Sequence, residues 1–197
     1  IAGQVCSDAS VTIRNCRNYA SLRGVWGIGG ILGEIEDGAS AVIENCSNHG
    51  TITAQYTGGG IVGQVGPNRW RANGACVTLN NCYNVGTVGG KAEWGVGGLL
   101  GALRMCGDTA QSSMRNCYNA GEIKSGAISG ALLGSITETT LVIGNVYSLA
   151  QDTLAAWGSF DDDGSETVGT VKGDAVQKTE AQMKDFAFAR RLGTAFA

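Results

Sequence analysis

Two short landmarks recur in fixed order along this chain, and they constrain its fold more than any other feature. The first is a glycine-apolar-apolar-glycine turn: Gly30-Ile31-Leu32-Gly33, Gly60-Ile61-Val62-Gly63, Gly98-Leu99-Leu100-Gly101 and Ala131-Leu132-Leu133-Gly134. A shortened copy, Ile1-Ala2-Gly3, opens the chain. The second is Asn-Cys-x-Asn-x-Gly, at residues 45–50, 81–86 and 116–121, with weaker copies at 15–20 and 145–150. From Ile1 to Ile31, Ile61, Leu99 and Leu132 the spacings are 30, 30, 38 and 33 residues. A period of this length marks a chain built of repeated supersecondary units.

Within each block the patterning is that of strands. Val77 to Asn81, Val11 to Asn15 and Leu141 to Asn145 alternate apolar and polar residues, so one face is buried and the other solvated. The inward column reads Ile13, Ile43, Leu79, Met114 and Ile143; beside it the outward column reads Arg14, Glu44, Asn80, Arg115 and Gly144. After the closing glycine a second short strand carries Ile52, Val88 and Ile123. No block has the 3.6-residue periodicity of a helix. The fold class expected is all-β: a single-stranded β-helix, or β-solenoid, of about five coils over residues 1–158. Coils stacked at the ~4.8 Å inter-strand spacing give a rod about 24 Å long. Right-handed winding is favoured for parallel strands. One block alone leaves its apolar side bare until neighbours cover it.

Composition agrees and excludes several function classes. Glycine occurs 32 times in 197 residues, about twice the roughly 7% of average proteins, and proline once, at Pro67. The glycines follow no three-residue period, which rules out collagen, and β-branched residues lie between them, which rules out a linker. A net charge of −3 with a pI near 5.1 argues against nucleic acid or anionic lipid as partner. No stretch of eighteen apolar residues occurs, so no membrane insertion is expected. The chain begins at Ile1, within a repeat, as an excerpt of a longer protein would.

Asn15, Asn45, Asn81, Asn116 and Asn145 are expected to point inward just before a bend, forming a ladder in which each amide satisfies the next. Cys16, Cys46, Cys82 and Cys117 form a second column, replaced by Val146 in the last block; valine there implies buried thiols. No Cys-x-x-Cys pair supplies metal ligands, and no cofactor is expected. Cys76 and Cys106 lie in adjacent longer loops, where a disulfide is one option. His49, the single histidine, aligns with Tyr19, Val85, Ala120 and Leu149, so its column does not require an imidazole.

Two aromatic columns are the candidate ligand-binding residues. Tyr83, Tyr118 and Tyr147 follow the cysteine column in successive blocks. Trp26, Tyr56 and Trp94 precede the glycine turn, and Trp157 has similar Ala-Trp-Gly surroundings. Aromatic stripes on a rigid rod stack on sugar rings or anchor a protein partner; the plainer reading is that they cover backbone and cross-block neighbours. The acids Glu34, Glu44, Asp108 and Glu122 do not recur in neighbouring blocks, so no catalytic carboxylate pair is assembled.

The two landmarks in order resemble the GLUG-motif repeats of bacterial surface proteins, over roughly residues 1–158. The resemblance implies extracellular display, on the bacterial cell surface or secreted, in adhesins or non-catalytic parts of secreted proteases. It implies no catalytic residues to transfer. The function expected is therefore a non-enzymatic stalk or binding platform for a host protein or glycan, monomeric when excised; the alternative is a carbohydrate-active β-helix enzyme. Residues 159–197 read as a strand and turn segment followed by a capping or linking helix. Asp161 to Asp163 read as a solvated acidic turn, with calcium coordination the alternative although the run lacks the alternating oxygen ligands of an EF-hand loop; Thr179 with Gln182 reads as a capping box opening a helix with Met183, Phe186, Ala187 and Leu192 on its apolar side and Gly193 at its end.

Overall fold

The computed structural model describes residues 1–66, 74–91, 93–104, 111–125, 128–151, 154–158 and 168–184. The described chain is all-β apart from one four-residue helix, and between repeat blocks every strand pairing is parallel. Each of the first four blocks sends one segment into each of four strand rows, and the fifth sends one into each of the first two.

The first row holds Ala2–Val5, Leu32–Ile35, Val62–Val65, Leu100–Arg104 and Leu133–Thr137. The second holds Ser10–Arg14, Ser40–Glu44, Cys76–Asn80, Ser112–Asn119 and Thr140–Leu149; the last two run on through the asparagine corner, where Arg17–Asn18, Ser47–Asn48 and Tyr83–Asn84 continue the earlier blocks. The third holds Leu22–Gly24, Ile52–Ala54, Val88–Gly90 and Ile123–Ser125. The fourth holds Ile28–Gly29, Thr57–Gly59, Gly95–Gly97 and Ser129–Gly130.

The register follows the sequence repeat residue for residue. Ile43 lies opposite Ile13 and Leu79, and Met114 opposite Leu79 and Ile143. Ala2, Leu32, Val62, Leu100 and Leu133 meet in the first row. Their side chains, with Ile31, Ile61, Leu99 and Leu132 from the glycine turns, make one continuous core between the first two rows. Ile52, Val88 and Val96 form a smaller second core with Leu22, Ile28 and Ile123.

The glycine turns owe their composition to backbone contact. A Cβ on Gly30, Gly60 or Gly98 would lie 2.1–2.3 Å from the carbonyl oxygen of the equivalent residue in the next block. A Cβ on Gly33, Gly101 or Gly134 would come within 2.3 Å of a carbonyl of the block before. Both glycines of the turn are thus points where successive blocks touch backbone to backbone.

The repeat landmarks end at Gly158, but the stacking continues. Ala155 and Ala156 accept hydrogen bonds from Ala131, Leu132 and Leu133 as the earlier turns do from one another. Thr170–Lys172 and Ala175–Lys178 then pair in parallel with Thr140–Leu149. The helix Glu180–Met183 follows, with the capping box intact: Thr179 Oγ1 accepts from the Gln182 N–H, and Gln182 Oε1 from the Thr179 N–H. The expected acidic turn at Asp161 to Asp163 and the helix beyond Lys184, with Phe186, Ala187, Leu192 and Gly193, lie outside the described residues.

Candidate functional site

The first asparagine column forms a ladder, but not where alternation aims it. Asn145, Asn116, Asn81 and Asn45 each donate Nδ2 to Oδ1 of the asparagine one block earlier, ending on Asn15, over 3.0–3.2 Å. These residues sit on an outer corner: Asn15, Asn45 and Asn145 are exposed and the other two half-buried. The inward expectation fails because all five adopt φ between 51° and 56°, the left-handed region asparagine tolerates. The chain turns on these residues, and the period-two count restarts after them.

The buried ladder is the second asparagine of the motif, which the alternation argument passed over. Asn18 donates to Asn48 Oδ1, Asn48 to Asn84 and Asn84 to Asn119, over 2.7–2.8 Å. Asn48, Asn84 and Asn119 are fully buried. Each also donates to the carbonyl two residues on, at Gly50, Gly86 and Gly121, so one side chain closes its own turn and ties two blocks. Where Ser148 replaces it, Asn119 donates to the Ala131 carbonyl instead. The signal was available: Cys16 and Asn18 are two apart, so a buried thiol column implies a buried asparagine column.

Cys46, Cys82 and Cys117 are buried beside that ladder and Cys16 half-buried. Their thiols donate to backbone carbonyls two residues earlier. Burial pushes the Cys46 thiol up to about 11. Its hydrogen bond to Cys117, then burial, pushes Cys82 well up. Cys106 lies outside the described residues, and with it the suggested pairing to Cys76. No group of three or more metal-ligating side chains occurs among the described residues, and no helix among them is long and apolar enough to cross a membrane.

The aromatic candidates are spent largely on one another. Tyr83 and Tyr118 stack at 5.0 Å with planes 3° apart. Tyr147, offered above as a binding residue, is only 8% exposed and packs against Tyr118 and Met183; the strands and helix after residue 168 bring that cover, so Tyr147 is no surface platform. His49 joins the array from its neighbouring column, stacked on Tyr19 and edge-on to Tyr83, with Nε2 3.1 Å from Ser47 Oγ. In the second cluster Trp26 stacks on Tyr56 at 3.9 Å, Trp94 meets both, and the Arg104 guanidinium lies 4.8 Å over the Trp94 ring. Trp157 is not part of it: it bridges to Leu133, on the glycine-turn column. Of the six candidates only Trp26, 40% exposed, keeps a large open surface.

Three of the outward carboxylates are engaged with neighbours. Glu44 accepts from Arg14 Nε at 2.6 Å, and that ion pair, with Asn80 adding to it, holds its carboxyl below the usual range. Glu36 accepts from Gln4, and Glu122 pairs with Lys124 at 3.1 Å. Asp108 lies outside the described residues. No known protein family, characterised protein or solved structure matches the chain.

Proposed function

We propose that the chain is a right-handed β-solenoid of the GLUG-repeat type, displayed outside a bacterial cell as a rigid, non-enzymatic stalk or binding platform. The observation that carries this reading is the pair of amide ladders: the first asparagine joins all five blocks at one corner, and the second joins the first four in the interior. Such a chain gains stability from its length rather than from closing around a cavity, which suits a spacer. Carboxylates held by arginine, glutamine and lysine partners do not offer the acid and base that glycan cleavage needs. If the sides hold a host glycan or protein, the Trp26–Tyr56–Trp94 cluster with its arginine is the region chemically suited to a sugar face.

The test pairs a glycan array with a reducing-end assay on the whole chain. Binding that Trp26→Ala weakens at least about tenfold, with no new reducing ends, is the expected result. New reducing ends would install the carbohydrate-active enzyme reading in its place. Protease treatment of intact cells, releasing the repeats to the medium, checks display.

A further inference from the structure

The strand after each asparagine corner carries one lane of outward side chains: Arg17, Ser47, Tyr83, Tyr118 and Tyr147. Its direction is set by the neighbours. Cys82 and Asn84 are fully buried on either side of Tyr83, as Cys117 and Asn119 are on either side of Tyr118, so both rings leave by the outer face. Both stay half-buried there. Parallel pairing sets Tyr83 directly opposite Tyr118, about 4.8 Å apart at the backbone. The rings lie face to face, with 5.0 Å between centroids and planes 3° from parallel.

The two hydroxyls have different surroundings. Tyr83 Oη lies 3.4 Å from His49 Nε2, and Ser47 Oγ lies 3.1 Å from the same nitrogen. An imidazole nitrogen without its proton can accept from both. A phenol that loses an electron becomes a strong acid, so its oxidation needs a base within reach, and His49 is that base for Tyr83. Burial, and then the neighbouring Tyr83, pushes the Tyr118 hydroxyl up. It stays a neutral phenol, and the first oxidation falls on Tyr83. Tyr147, next in the lane, is only 8% exposed and covered by Met183, which shields it from an oxidant outside.

We propose that Tyr83 and Tyr118 form an oxidative cross-linking site, at which hydrogen peroxide, acting through a peroxidase, joins the two rings into a dityrosine bridge between the third and fourth blocks. Tyr83 gives one electron to the peroxidase and its hydroxyl proton to His49 Nε2. Tyr118 gives the second electron and releases its proton to water. The rings turn about their own side-chain torsions, and the two radicals form a carbon–carbon bond between positions beside the hydroxyls. The hydrogen displaced from each of those carbons moves to the oxygen of its own ring. One peroxide takes up the two electrons and two protons and leaves as two water molecules, so the chain loses two hydrogens.

The bridge gives this junction a bond that opening of the amide ladders does not release. The inference needs only the register of the two strands and the imidazole beside them, and is independent of any glycan or protein ligand.

The experiment treats the full chain, dilute enough that chains rarely meet, with hydrogen peroxide and a haem peroxidase, then reduces, alkylates and digests it with trypsin. Tyr19, Tyr56, Tyr83, Tyr118 and Tyr147 fall on five separate tryptic peptides, so mass identifies the partners of any bridge. Residues 72–91 joined to residues 116–124 with two hydrogens lost is the expected product, from a chain that shows dityrosine emission and stays monomeric. Its thermal midpoint is expected to rise, because the bridge closes a loop that survives unfolding. Tyr83→Phe keeps the stacked ring and is expected to abolish the bridge. His49→Phe, in a column that already holds a ring at Tyr19, is expected to lower the yield at least about tenfold. A bridge at another pair, or between two chains through Tyr19, would overturn the inference. So would a yield that either substitution leaves unchanged, or no bridge under conditions that couple free tyrosine.

Discussion

Asn84 is held on every side: it donates to Gly86 O and Asn119 Oδ1 and accepts from Asn48 Nδ2 and the Gly86 N–H, all within 3.2 Å and out of water. Asn84→Ala strands several of these partners and is expected to cost about 3 kcal/mol. Asn81→Gly keeps the left-handed backbone and loses one exposed and one half-buried bond, at a cost of about 1 kcal/mol; urea midpoints at constant slope compare the two. The thiols give a pH signature. The folded Cys46 value near 11 lies above that of an unfolded thiol, so its contribution is complete below the unfolded value, about 8.5, and is lost as pH rises towards 11. Cys46→Val, the residue that Val146 shows the column accepts, is expected to flatten the alkaline fall in midpoint relative to the parent. At this scale the sequence was legible wherever side-chain chemistry alone decided the environment: Ile43, Leu79 and the thiols lie inside. It misled at Asn45 and Asn81 because a positive φ is a backbone fact that alternation does not carry, and the burial of Asn48 was hidden behind it.

Elements were readable in proportion to their β-branched content. The runs through Ile43 and Leu79 stand out, whereas Thr57–Gly59 and Gly95–Gly97 do not resemble strands, since glycine is depleted there. They are strands because their backbones press against neighbours: a Cβ on Gly59 or Gly97 would lie 1.9–2.1 Å from the carbonyl of Val62 or Leu100. The corner after each second asparagine obeys the same rule. A Cβ on Gly86 would stand 2.1 Å from Gly50 O and 2.9 Å from Asn48 Nδ2, so Gly86→Ala is expected to destabilise by more than about 2 kcal/mol and to speed exchange first in Val88–Gly90. The tail strands escaped the repeat pattern because they keep its hydrogen bonds without its landmarks. Ending the chain at Gly158 uncovers Leu141 and Tyr147, and is expected to lower the thermal midpoint and raise quenching of tyrosine emission by acrylamide.

The whole molecule tests one rule, that a block is interchangeable where its ends repeat. Ile31 and Ile61 each follow a glycine, their N–H groups bond to the carbonyls of Ile61 and Leu99, and both are fully buried. Joining Gly30 to Ile61 therefore removes residues 31–60 without creating a new kind of junction. The surviving faces also match: Asn18 would meet Asn84 as it now meets Asn48, Ile13 would meet Leu79, and Ala2 would meet Val62. The deletion is expected to give a folded protein with the same strand-type circular dichroism and a lower midpoint, since one set of inter-block contacts is lost. Removing half as much, residues 31–45, carries the opposite expectation. It would set the first-row strands against the wrong partners, invert which side chains face the core, and break both ladders at once, so the product should not fold cooperatively. A half-block deletion that stays cooperative would mean the core tolerates misregister, and the proposed solenoid would lose its basis. An intact fold after the full deletion alone ties stability to registered stacking, the property a stalk of adjustable length requires.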